Sequence, residues 1–168
     1  MKIADATVQA RYEKSYAKMV EFVGLLYKAG VPLVAGTDEM AGFTLQAELE
    51  LLVKAGLTPA QAIQVATRNG ARYTGTSHER GSIVAGKLAD LVLVDGDPTK
   101  NIGDIRKVSA VITRGYLVYP HEVDKELGIV PFVKDAPALK ALAPVSSNVA
   151  AGGNEALLQR LTGRAAKH

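Results

Sequence analysis

Val31-Pro32-Leu33-Val34-Ala35-Gly36-Thr37-Asp38 is the stretch whose reading decides the fold. A short, nearly all-apolar run leads into Gly-Thr-Asp, and such a run suits a parallel strand buried on both faces. Pro32 lies near its start, where a missing backbone donor is tolerated. A strand predicted over residues 31–35 puts Asp38 just beyond its carboxyl end, where parallel α/β folds build their sites. An aspartate there can bind a metal or take a proton from a bound water. It can equally cap the next helix or close a turn, since Asp is common in both roles.

Upstream, Tyr12, Tyr16, Met19, Val20, Val23, Leu26 and Tyr27 recur at the three- and four-residue spacing of one helical face. Gly30 follows as the left-handed residue that often ends a helix. Downstream, Leu45, Leu49, Leu52 and Val53 mark the apolar side of a helix over 44–55, stopped by Gly56. Thr58, Pro59 and Gln61 form a strong start signal for a third helix: cap, first-turn proline and a glutamine three residues after the cap. Asn69-Gly70 is expected to interrupt it before Ala71-Arg72-Tyr73.

Past Gly75 the period changes from helical to alternating. Residues 82–84 and 88–94 read as strands, and 108–112 with 116–119 as a hairpin around Arg114-Gly115. The expectation is an α/β fold carrying a small β layer. Residues 141–154, rich in Ala, Ser, Gly and Val, read as a linker, and 154–164 as a short terminal helix.

Bulk properties narrow the function. The 168 residues are 48% hydrophobic and 22% charged, the composition of a globular protein. Twenty basic against 17 acidic residues, net +3, are mixed along the chain without a dense basic run, so no nucleic-acid partner is expected. The absence of cysteine excludes disulfides and thiolate metal sites, leaving oxygen and nitrogen ligands for any metal. No stretch approaches the ~20 apolar residues of a membrane span, and the first residues lack an apolar signal core. No membrane partner is expected, and the compartment stays open.

Several motifs in series carry a resemblance. Val34-Ala35-Gly36-Thr37-Asp38, then Glu48-Leu49-Glu50-Leu51-Leu52-Val53-Lys54-Ala55-Gly56-Leu57-Thr58-Pro59, look like the last barrel strand and helix of the amidohydrolase superfamily. Ala66-Thr67-Arg68-Asn69-Gly70-Ala71 is similar to its helical connector. Gly81-Ser82-Ile83-Val84-Ala85-Gly86-Lys87-Leu88-Ala89-Asp90-Leu91-Val92 resembles its return into an accessory β-domain. Asp95-Gly96-Asp97-Pro98 and Val111-Ile112-Thr113-Arg114-Gly115 complete a match over residues 30–119, nearest the imidazolonepropionase-like and prolidase-like branch.

The resemblance implies a fold class: the C-terminal part of a metal-dependent hydrolase TIM barrel plus part of a small accessory β-domain. It implies residues 1–76 as the barrel end, 77–120 as accessory-domain segment and 121–168 as tail. Asp38 would be both metal ligand and proton acceptor for the hydrolytic water, with a divalent metal, Zn2+ first among candidates, as cofactor. The substrate would be a small-molecule amide, cyclic amide or peptide-like compound. Position 46 departs from the pattern, because many relatives place a His where this chain has Gln46.

A catalytic zinc takes about three or more protein ligands. The superfamily draws the others from a His-x-His pair on the first strand, a Lys or Glu on the fourth, and histidines on the fifth and sixth. Here His78, His121 and His168 form no such pair and read as surface or loop residues. A full eight-stranded barrel needs about 250 residues. The chain is therefore expected to be inactive alone, with the remaining barrel of a parent protein as its partner; a homo-oligomer is also compatible with the sequence. Apolar surface is expected around Val20, Val23 and Val34. Lys87 and Asp90 read as structural, and of Glu48 and Glu50 at least one as simply solvated. The competing reading is a non-catalytic α/β module that scaffolds or binds a partner chain.

Overall fold

Asp5 sets the start of the first helix. The computed structural model describes residues 5–38 and 43–133, and in it the Asp5 carboxylate accepts hydrogen bonds from the Thr7 and Val8 amides at 2.7 and 3.3 Å. These bonds to donors left unpaired at a helix start lower the carboxyl pKa, the Thr7 amide contributing most. Helix α1 runs Ala6–Lys28 and ends at Gly30, whose φ of 78° is the expected left-handed stop. The predicted linker, the predicted terminal helix and His168 lie outside the described residues.

Helix α2, Thr44–Lys54, packs against α1 and against α3, Pro59–Gln64. Thr58 and Gln61 form the reciprocal capping box read from the sequence, with Gln61 N–H to Thr58 Oγ1 at 3.3 Å and Thr58 N–H to Gln61 Oε1 at 2.8 Å. The predicted interruption at Asn69-Gly70 does not occur. The chain stays helical, widening into a π turn over Val65–Asn69 before α4, Gly70–Tyr73. Gly70 takes ordinary helical angles, so its lack of a side chain is not used to break the helix. The Thr67 hydroxyl donates to the Ile63 carbonyl at 2.7 Å, a back-bond that loosens helices locally.

The described residues fall into two units: residues up to Ser82 with Pro98–Gly103, and Ile83–Asp97 with residues from Asp104 on. In the first, Leu49, Leu52, Leu57, Ala62, Val65 and Ala71 are buried. The core is small, and Val65 is its largest fully buried side chain among the described residues.

Gly24 brings α1 onto α2. It is the one buried residue of α1, and a β-carbon there would collide with the Ala55 carbonyl oxygen. The helical periodicity gave no hint of this. Gly81 makes a second close approach: with φ at 84°, its β-carbon would lie 2.5 Å from that of Ala71.

The second unit is a three-stranded antiparallel sheet in the order β1 (Leu91–Val94), β2 (Val108–Thr113), β3 (Tyr116–Val118). Leu91 faces Ile112, and the register slips between Leu93 and Val94. The predicted strand at 82–84 is a bend and loop, and the one predicted from Leu88 begins only at Leu91. Positive φ at Gly81 and Gly86 keeps this region turning. The predicted hairpin is present. Arg114 and Gly115 both take positive φ, 51° and 80°, as a two-residue turn matched to strand twist demands. Helix α5, Pro120–Glu126, packs on β2 and had no counterpart in the sequence reading.

Asp104 ties the turn that links β1 to β2. Its carboxylate accepts from Lys107 Nζ at 2.9 Å and from the Asp97 amide at 3.1 Å, and the Lys107 bond, then the amide, hold its pKa below the ordinary carboxylate value. Gly96 leaves room for it, since a β-carbon there would sit 2.5 Å from Asp104 Oδ2.

Two helical glycines should respond oppositely to alanine. Gly24→Ala should cost about 1–3 kcal/mol through overpacking, whereas Gly70→Ala, with nothing within 4 Å of its β-carbon, should gain up to about 1 kcal/mol from helix propensity; denaturant melts read both. A depressed folded-state pKa contributes stability above the unfolded value, lost as pH falls through the folded one. Asp104→Asn should therefore lower the melting temperature at pH 7, and the gap to wild type should close as pH drops below the usual carboxylate range.

Candidate functional site

Residues 31–37 form neither a strand nor a helix. Among the described residues, 32–37 make no backbone–backbone hydrogen bond, and Val31 and Val34 are 41% and 42% exposed. This corrects the expectation of a strand buried on both faces. A parallel strand is buried only by its sheet neighbours and the helices over them, and the sheet among the described residues is the antiparallel β1–β2–β3 of the other unit.

Side chains hold the segment instead. Asn69, last residue of the π turn, donates from Nδ2 to the Leu33 carbonyl at 3.0 Å. Glu48 on α2 accepts the Gly36 N–H with both carboxylate oxygens at 3.1 Å. Thr44, first residue of α2, donates from its hydroxyl to the Thr37 hydroxyl, also at 3.1 Å. Three side chains from two elements later in the chain, α2 and the π turn, thus grip the run from Leu33 to Thr37. Glu48 and Glu50 are both half-buried, so the expectation that one is merely solvated is overturned. Sequence reasoning missed Glu48 and Asn69 as partners of this segment. The available signal was the Gly-Thr-Asp end followed by two polar residues on apolar helical stretches.

Asp38 is exposed, one residue beyond Thr37. Gln46, one turn before Glu50, has its Oε1 buried with no hydrogen-bond partner among the described residues. His78 is exposed, with Nε2 3.3 Å from Glu79. His121 departs from the surface-or-loop expectation: it is half-buried on α5, with Nδ1 buried and its ring 5.9 Å from that of Tyr119. Among the described residues no group of three His, Asp or Glu side chains could hold a metal ion. Asp38 offers one carboxylate where a catalytic zinc needs about three or more ligands, so these residues do not by themselves fit the metal. Asp90 takes the Thr113 hydroxyl at 2.9 Å, a cross-link within the β unit. No helix among the described residues is long and apolar enough to cross a membrane.

The apolar surface lies only partly where expected. Val34 is exposed, but Val20 and Val23 are half-buried toward the side where Gly24 meets Ala55. The exposed side of α1 carries Tyr12, Met19, Phe22 and Leu25, with Met19 at 68% and Phe22 at 60%. Tyr16 is partly covered by Lys54, whose Nζ stands 4.7 Å from its ring centre.

The sequence profile of the amidohydrolase family matches residues 9–118, well over half of the chain. The chain belongs to the amidohydrolase family. It is 40% identical over 73 residues to an imidazolonepropionase of Flavobacterium johnsoniae, spanning 40% of this chain and 18% of that protein. It is 38% identical over 85 residues to adenine deaminase 1 of Desulfotalea psychrophila, spanning 51% of this chain and 13% of that protein. A crystal structure of a Xaa-Pro dipeptidase with bound methionine superposes with a TM-score of 0.56 at 33% identity, covering 60% of this chain and 25% of that one. The chain thus spans a quarter or less of the length of these relatives.

If the α1 stripe is free surface, replacing Met19 and Phe22 with Lys and Glu should abolish binding of a hydrophobic dye to the purified chain. The melting temperature should hardly move, since exposed substitutions usually stay within about 0.5 kcal/mol. A dye-silent wild type would contradict the exposure.

Proposed function

We propose that this chain is the C-terminal part of an amidohydrolase that hydrolyses C–N bonds in amides, cyclic amides or peptide-like substrates. What carries the reading is the family match over residues 9–118 together with Asp38 standing at the end of the segment that Glu48 and Asn69 grip. In this reading residues 1–76 belong to the end of a (β/α)8 barrel, 77–120 to the accessory β-domain and 121–168 to a tail.

Asp38 is the residue of this chain that does chemistry. Its carboxylate accepts a proton from the hydrolytic water and returns it to the leaving nitrogen, a transfer worth about 10²–10⁴-fold in rate when the group is well placed. A divalent metal, Zn2+ first among candidates, would be shared between Asp38 and side chains of the remaining barrel and would activate that water. The partner polypeptide covers the surface left open here: the apolar side of α1 and the flanks of residues 31–34. Apart from the Val31 and Gly36 amides and the Leu33 carbonyl, which are already bonded, the backbone of residues 31–37 is left to pair with a neighbour, which is the role a barrel strand fills. The chain alone is inactive.

The exposed α1 stripe and the want of a metal set among the described residues also favour a second reading, a non-catalytic module that docks on a partner chain. The two readings part on one residue. In a polypeptide uniting this sequence with a His-x-His strand, Asp38→Asn should lower kcat by about 100-fold or more. Metal content measured on the same preparations should show at least one ion per chain in the wild type. Near-normal turnover by Asp38→Asn would reject it as proton acceptor and leave the module reading.

A further inference from the structure

Asp38 is useful as a proton acceptor only if its carboxylate is held at a fixed height, and its own segment cannot supply that rigidity. Gly36 has no side chain, and nothing lies within 4 Å of where its β-carbon would be. Val34 and Thr37 are exposed. The described residues provide no sheet ladder. The half-buried Leu33 and Ala35 pack against the unit, but that packing stops short of Gly36 and does not by itself fix the backbone just before Asp38.

Two side chains from rigid supports do. Glu48 is adjacent in sequence to Leu49, which is buried to 4% exposure, and its two oxygens bracket the Gly36 N–H at equal distances of 3.1 Å. A hydrogen bond to a charged acceptor is about twice as strong as a neutral one. Asn69 ends the π turn that begins with the fully buried Val65. From the end of that turn Asn69 donates to the Leu33 carbonyl at 3.0 Å. Single π turns of this kind recur at functional sites. One grip takes a backbone acceptor and the other a backbone donor, three residues apart, so the segment is held against sliding along its length.

We infer that Glu48 and Asn69 are positioning residues for Asp38, a two-point clasp through which α2 and the π turn set where its carboxylate stands. The inference rests on the reading of Asp38 as proton acceptor. Gly36 and Asp38 are two residues, at most about 7 Å, apart along the chain, so a displacement at Gly36 reaches Asp38. A misplacement near 1 Å costs about 100-fold in rate.

Amide hydrogen exchange on the chain itself tests the clasp without any activity. Glu48→Ala should speed exchange at Gly36 about tenfold or more, the scale of a lost charged hydrogen bond, while the buried half of α2 stays within about twofold. Glu48→Gln, whose amide oxygen still accepts, should keep most of the protection, and it remains informative if the alanine variant does not fold. In the united amidohydrolase, Glu48→Ala and Asn69→Ala should lower kcat by about 10–100-fold with KM within about threefold, and Glu48→Gln should restore most of it.

Unchanged Gly36 exchange in Glu48→Ala overturns the clasp. So does loss of protection spread through α2, which would make Glu48 a helix-stabilising residue, or a Glu48→Gln as poor as the alanine variant. If Asp38→Asn leaves turnover intact, the hydrolase reading fails while the exchange result still decides whether the clasp exists.

Discussion

The backbone N–H of Gly36, gripped by the Glu48 carboxylate, is the contact on which the organisation of the first unit turns. An extended segment normally satisfies its amides and carbonyls in a sheet ladder, and leaving them unmade is costly wherever water is excluded. Here one amide goes to Glu48, one carbonyl to Asn69 and one hydroxyl to Thr44. Those partners belong to elements that follow the segment in sequence and carry the unit's buried residues. The segment that bears Asp38 is thereby joined to the core through polar side chains as well as through the half-buried Leu33 and Ala35.

The buried core of this unit is small. Leu49, Leu52, Leu57, Ala62, Val65 and Ala71 bury one side of α2 and the helical run after Thr58, and the close approach at Gly24 brings α1 against the C-terminal end of α2. The opposite side of α1 keeps large apolar residues in solvent. A helix apolar on more than one face is suited to burial against further polypeptide, the role proposed for the remaining barrel.

The site was legible only in part. Asp38 stood out because Gly-Thr-Asp follows an apolar run, a pattern confined to a few adjacent residues. Glu48 and Asn69 did not, because their partners lie 12 and 36 residues away and nothing in a helical face tells a solvated carboxylate from one that reaches a distant amide. The apolar run itself misled: five such residues state that burial is wanted, not that neighbours are at hand. Val20 and Val23 were misassigned for a related reason. An α1 apolar around most of its circumference does not reveal which side meets α2; Gly24, a residue without hydrophobic weight, decides that.

By itself the sequence determined the punctuation of the fold and its family. Gly30 and Gly56 as helix stops, the Thr58-Pro59-Gln61 start and the Arg114-Gly115 hairpin turn are all written in residues within four positions of one another. Such features depend on local dihedral preference and short-range hydrogen bonds, which the chain carries wherever it goes. Tertiary structure alone decided that residues 31–37 would join no sheet among the described residues, that the helix after Thr58 would widen instead of breaking, and that α1 would turn Gly24 inward. Each of those outcomes depends on groups far apart in the chain competing for the same space or the same hydrogen bond, and that competition is settled only when the elements pack.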